Sequence, residues 1–152
     1  MSSDSPASAN RAQPETFRAR TMGASLTVKD LQKSVTWYTD VVGFIIEQKM
    51  ERDGKVLGVA LRAGDVRILL NQDDGAKGWD RVKGEGFSLH FTTGQSVDQV
   101  AKRIRDQGGT LEMEPTDMPW GARVFRLRDP DGFKLSISSE RAAPAPTQSK
   151  SP

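Results

Sequence analysis

The 152-residue sequence has no cysteine, a single histidine and a single tyrosine. The missing thiols exclude disulfides, thiolate metal sites and a cysteine nucleophile. With His90 alone, no two imidazoles are spaced to share a divalent ion. No apolar run approaches the length of a membrane span, and the first residues lack the apolar stretch of a secretory signal. A cytoplasmic placement is therefore expected. Large apolar residues are scarce at both ends. Segments 1–21 and 141–152 cannot bury enough surface to offset their chain entropy, and both are expected to be disordered tails. Surplus positive charge is also missing from the centre. The sequence pI is about 9.0, yet residues 22–140 hold 17 Lys/Arg against 18 Asp/Glu. The basic excess lies in the tails, no basic stripe remains in the core, and a nucleic-acid partner is not expected.

The chain is organised around Arg123 to Ser138, RVFRLRDPDGFKLSIS. Phe125 and Leu127 alternate with polar neighbours, and Leu135 and Ile137 do the same, as in two paired strands with one apolar face each. Asp129-Pro130-Asp131-Gly132 between them has the residue types of a tight turn. Upstream, Ala24, Leu26 and Val28 mark a first strand. Asp30 is placed to cap a helix whose stripe is Leu31, Val35, Tyr38 and Val42, ended by Gly43. Strands over 44–50, 56–61 and 66–71 follow, with turns at Asp53-Gly54 and Ala63-Gly64-Asp65. After a polar, Gly-rich connector carrying Trp79, the order repeats. Phe87, Leu89 and Phe91 form a strand, Ser96 to Gln99 a capping box, and Val97, Val100, Ala101 and Ile104 a helical stripe ending at Gly108. A short strand over 110–114 and the opening hairpin complete the repeat.

The halves superpose in sequence: Ser25 to Val28 on Ser88 to Phe91, and Arg67 to Leu70 on Lys134 to Ile137. The expected fold is α+β, a tandem of βαβββ modules (22–75 and 86–140, linker 76–85). They form a concave, partly open eight-stranded sheet with the helices outside. Strand edges left open by two half-barrels predict a homodimer.

A strand followed by VKDLQKSVTWYTDVVGF, a second strand–helix unit ending IRDQGG, then PWG and RLRDPDGFKLSI resembles the vicinal oxygen chelate superfamily. Glyoxalase I, bleomycin-resistance proteins, fosfomycin-modifying enzymes and extradiol dioxygenases belong to it. The resemblance is in style to the metal-free, bleomycin-resistance-like members. In metal-dependent members it implies His, Glu or Gln ligands on concave-facing positions of four strands. Here these positions fall at Gly23, at Leu69, at Gly86 or Ser88, and at Ser136. None is a usual ligand for a catalytic divalent ion, so no metal cofactor is expected.

Parity places His90 on the concave face with Ser25, Thr27, Ser88, Thr92, Ser136 and Ser138. Small hydroxyls there leave space and offer donors, which points to a ligand cavity rather than a filled barrel. His90 is suited to hydrogen-bond a ligand or act as a general base; the plainer reading is a bond to neighbouring strands. Arg67, Arg126 and Lys134 share the parity and flank the turns, as a cationic mouth for a carboxylate or phosphate or simply as strand ends reaching solvent. Trp79 and Trp120 lie in connectors, where each has the surface to stack on a planar ligand or cover a dimer seam. Glu47, Glu112 and Glu114 have ambiguous parity and receive no role. The reading that follows is a binder or sequesterer of a small organic molecule. The alternative is an enzyme (lyase, isomerase or dioxygenase) with relocated metal ligands, His90 among them.

Overall fold

The computed structural model describes residues 16–141. Of the tails expected over 1–21 and 141–152, residues 1–15 and 142–152 lie outside the described residues.

The first module runs β1 (Ala24–Val28), α1 (Leu31–Thr36), β2 (Ile45–Arg52), β3 (Lys55–Ala63) and β4 (Val66–Gln72). The second runs β5 (Ser88–Thr93), α2 (Val97–Asp106), β6 (Leu111–Asp117), β7 (Arg123–Arg128) and β8 (Lys134–Ser139). The strands form two separate four-stranded mixed sheets, ordered β1-β4-β3-β2 and β5-β8-β7-β6. In each, the first strand of the module runs parallel to the last and forms one open edge. The tandem α+β architecture thus stands, with its eight strands split between two sheets because β1 and β5 each pair on one side only.

Each stripe read from the sequence faces the core, with Val100 alone only partly buried. Leu31, Val35, Tyr38 and Val42 are all at most 9% exposed, as are Val97, Ala101 and Ile104. Asp30 caps α1 by accepting from the Lys33 amide at 3.1 Å, and Ser96 caps α2 by accepting from the Gln99 amide at 3.3 Å. Beyond Thr36 the helix widens to a π-helical turn over Trp37–Val42. Gly43 and Phe44 amides both donate to the Tyr38 carbonyl at 2.9 Å. Gly43 closes this turn at φ +110°, a conformation that favours glycine.

One apolar cluster runs through both modules, joining Leu26, Leu61 and Leu70 to Phe125, Leu127 and Leu135. Phe44 meets Phe91 edge-on at 6.0 Å across the junction. The Asp-Pro-Asp-Gly turn adds a polar tie. Asp129 Oδ1 accepts from the Asp131 and Phe133 amides at 2.9 and 2.8 Å, which shapes the turn. Its Oδ2 accepts from the Tyr38 hydroxyl of the other module at 2.8 Å. Lys83, in the connector, bridges Asp73 after β4 (2.8 Å) and Asp131 of the turn (3.3 Å). That lysine, with the Gly75 amide, holds the Asp73 carboxyl down at about 2. Linker and hairpin therefore lock the modules to each other.

Candidate functional site

On β5, β7 and β8 the ladder is regular, so residues on one face fall into rows. Leu135, Ile137, Phe125 and Leu127 point into the core. The opposite face carries one row of Ser88, Lys134 and Arg128, and beside it a row of His90, Ser136, Arg126 and Met113. Neighbouring strands lie about 4.8 Å apart and successive same-face residues about 6.6–6.8 Å apart, which brings these side chains within reach of one small ligand.

They surround a recess of about 350 Å³ lined by Ser88, His90, Glu112, Arg126, Arg128, Lys134 and Ser136, with Leu135 at its base. His90 is exposed and Ser136 buried, so the imidazole stands at the surface and the hydroxyl at the floor. Arg128 forms an ion pair with Glu112. Arg126 approaches only the Met113 sulfur, at 3.9 Å. Neither Arg126 nor Lys134 has an ion-pair partner among the described residues. Three cations face one carboxylate, and two of the cations are free to take an anion.

Five of the candidates read from the sequence meet here: Ser88, His90, Arg126, Lys134 and Ser136. The other seven lie elsewhere: Thr92 lines a cleft between the modules, and Ser138 is buried, its hydroxyl donating to the Ser139 carbonyl at 2.8 Å. Ser25 accepts from the Asn71 side-chain amide at 2.8 Å on the first module's sheet. Thr27 lines a separate hollow with Asp73, Lys77 and Arg81. Arg67 is committed to Glu47 through two hydrogen bonds, at 2.8 and 3.3 Å, and Arg62 approaches the same carboxylate at 3.5 Å. The Arg67 bonds hold Glu47 below the usual carboxylate range. Trp79 lines a shallow hollow with Lys29, Lys33 and Asp131. Trp120 sits half-exposed in the turn before β7, its carbonyl accepting from Arg141 Nε at 3.0 Å.

Two residues of the recess, Glu112 and Arg128, have no role in the sequence reading. Arg128 shares the parity of Arg126, and that signal was available. Glu112 sits on the edge strand β6 at an irregularity, where Leu111 pairs with Leu127 but Met113 with Arg126. The first module repeats the arrangement: the pairing of β2 is irregular between Ile46 and Gln48, which frame Glu47. Glu47 with Arg62 and Arg67 thus corresponds to Glu112 with Arg128 and Lys134.

The positions that the family resemblance implies for metal ligands are here a glycine (Gly23), a half-buried leucine (Leu69), Gly86 or Ser88, and a serine (Ser136). Among the described residues, no group of three His, Asp or Glu side chains could hold a metal ion. This donor set does not fit a catalytic divalent metal.

Two βαβββ modules, each with its own four-stranded mixed sheet, define the class of fold. The chain belongs to the Glyoxalase/Bleomycin resistance protein/Dioxygenase superfamily, whose family model matches residues 20–137. It is 29% identical over 119 residues to a probable lactoylglutathione lyase of Synechocystis, covering 74% of this chain and 88% of that one. It is 26% identical to the glutathione transferase FosA of Serratia marcescens, covering 74% and 75% respectively. Among solved structures, a superfamily member from Sphaerobacter thermophilus superposes with a TM-score of 0.67 at 23% identity, over 81% of this chain and 98% of that one. That last likeness concerns the fold alone. No helix among the described residues is long and apolar enough to cross a membrane.

Proposed function

We propose that the protein binds a small polar or anionic organic molecule in the second module's recess without a divalent metal, as a binder or sequesterer in the cytoplasm. The observation that carries this reading is the pair of unpartnered cations, Arg126 and Lys134, beside His90 and two serine hydroxyls in one recess. A planar carboxylate fits that chemistry, since guanidinium recognises it through two parallel hydrogen bonds. A cationic drug such as bleomycin does not, because three positive groups face one negative group.

A screen of carboxylated aromatics read by thermal shift should yield stabilising ligands, because binding to the folded state alone raises apparent stability. The shifts should survive chelator, and elemental analysis should find no stoichiometric Zn, Ni, Mn or Fe. About one metal per chain, lost on His90→Ala, would overturn the reading. The names of the curated relatives favour the second reading, a lyase-type enzyme with relocated ligands. Lactoylglutathione formation that depends on added metal would establish it.

The functional unit in this proposal is a homodimer. The open edges of both sheets and the exposed Ile45, Ile46 and Leu57 (50%, 43% and 39%) support it. Light scattering at micromolar concentration should return twice the chain mass; a monomer would refute the pairing.

A further inference from the structure

A larger cavity, about 510 Å³, shares Leu135 with the recess but is otherwise lined by different residues, at the cleft where the modules meet. Its walls include Val42, Phe44, Phe91, Leu135 and Ile137, drawn from both modules. The β3–β4 turn closes one side, and the end of β5 with Gly94 another. Among the apolar walls stands one cation, Arg103 of α2. Its guanidinium lies over Gly43, where an added Cβ would come within 3.1 Å of Nη2. The glycine that ends the first helix therefore also makes room for this side chain.

Arg103 has no ion-pair partner among the described residues, although other arginines of α2 and the nearby strands do. Arg105 pairs with Glu114, and Arg123 with Asp98 and Asp117. Asp65 also lines the cleft and forms no ion pair with Arg103. The cleft thus offers a volume within the range of small-molecule sites, with apolar walls interrupted by Asp65, Thr92, Thr93 and Gln95, and with Arg103 as its one cation. A ligand complementary to it carries one negative group on an apolar body. A second carboxylate would face Asp65 and be repelled.

We infer that this intermodule cleft is a second ligand site, distinct from the concave recess, that takes an amphipathic monocarboxylate with its headgroup on Arg103. The inference does not depend on the function proposed for the recess. Gly94 supplies a steric probe. It does not adopt positive φ, and an added Cβ would meet nothing within 4 Å, so a side chain there enters open space without backbone strain.

The test is calorimetric titration of the full-length protein with decanoate below its micellar range, with decanol as the uncharged control. Decanoate should bind once per chain, and about tenfold or more tighter than decanol, the scale of a hydrogen bond to a charged group. Arg103→Gln should bring decanoate down to the level of decanol and leave decanol unchanged. Gly94→Phe should weaken both, and Arg126→Gln neither. If decanoate shows no saturable binding, or binds Arg103→Gln as tightly as the parent, the site is refuted. Loss of binding on Arg126→Gln with Arg103→Gln unaffected would refute it too, placing decanoate in the recess. Should Gly94→Phe misfold, the Arg103→Gln comparison decides alone.

Discussion

Asp129→Ala should lower stability by about 3–5 kcal/mol, a fall in melting temperature of roughly 10–20 °C for a domain of this size. The carboxylate is 5% exposed and accepts three hydrogen bonds: the Tyr38 hydroxyl and the Asp131 and Phe133 amides. Alanine leaves all three donors without their acceptor, and each buried unsatisfied group costs about 1–3 kcal/mol. Asp129→Asn keeps one carbonyl oxygen for the two amides and can turn its NH₂ toward the Tyr38 oxygen. It should therefore cost much less, about 1 kcal/mol.

The parent and Asp129→Asn also separate by pH. Burial raises the Asp129 carboxyl above its ordinary range, against the pull of the Tyr38 and backbone bonds. A group whose folded pKa exceeds its unfolded one adds stability that is complete below the unfolded value and is lost as pH rises through the folded value. The parent should thus lose a small increment on going from mildly acidic to neutral pH, and Asp129→Asn should not. Chemical denaturation of the three proteins at both pH values measures this. Equal stabilities for parent and Asp129→Ala would mean that the intermodule tie contributes nothing.

The same aspartate shows what the sequence could reveal. The turn was legible because Asp, Pro, Asp and Gly each have a local reason to be there. The tie to Tyr38 was not, because it joins residues 91 positions apart and leaves no trace in periodicity. Tyr38 itself was assigned to the core from its place on the helical stripe, and it is fully buried. The widening of that helix after Thr36 was invisible, since the stripe keeps the same burial through a π-helical turn.

The site was legible to the extent that its strands are regular. Parity fixes a face only while pairing advances one residue at a time, as it does across β5, β8 and β7. All five residues that the reading placed in the recess come from those strands. On β6 the pairing slips twice, and Glu112 turns to Arg128 on the recess side while Glu114 pairs with Arg105 of α2. No alternation rule predicts that divergence. Trp79 and Trp120 lie in irregular segments, where sequence gives no direction for a side chain, and the structure keeps both out of the recess.

Arg126→Glu should weaken binding of an aromatic carboxylate in the recess by about a hundredfold, equal to about 2.7 kcal/mol. Unit charges about 4 Å apart interact by ~1 kcal/mol in water and ~4 kcal/mol near a protein surface. Reversing the charge changes the balance by two units, and Arg126 is exposed, so solvent screens much of the effect. Affinity of the parent should fall with added salt, whereas the variant's should hardly respond. His90→Ala, which removes one hydrogen-bonding group, should cost only about three- to tenfold. Glu112→Gln discriminates lost charge from lost structure. It releases Arg128 from its ion pair, leaving three free cations in the recess, and should tighten an anion several-fold. Titration of one carboxylate against the four proteins decides the matter. If Glu112→Gln weakens binding as Arg126→Glu does, the recess recognises its ligand by shape and not by charge. If none of the variants alters affinity, the ligand binds elsewhere on the molecule.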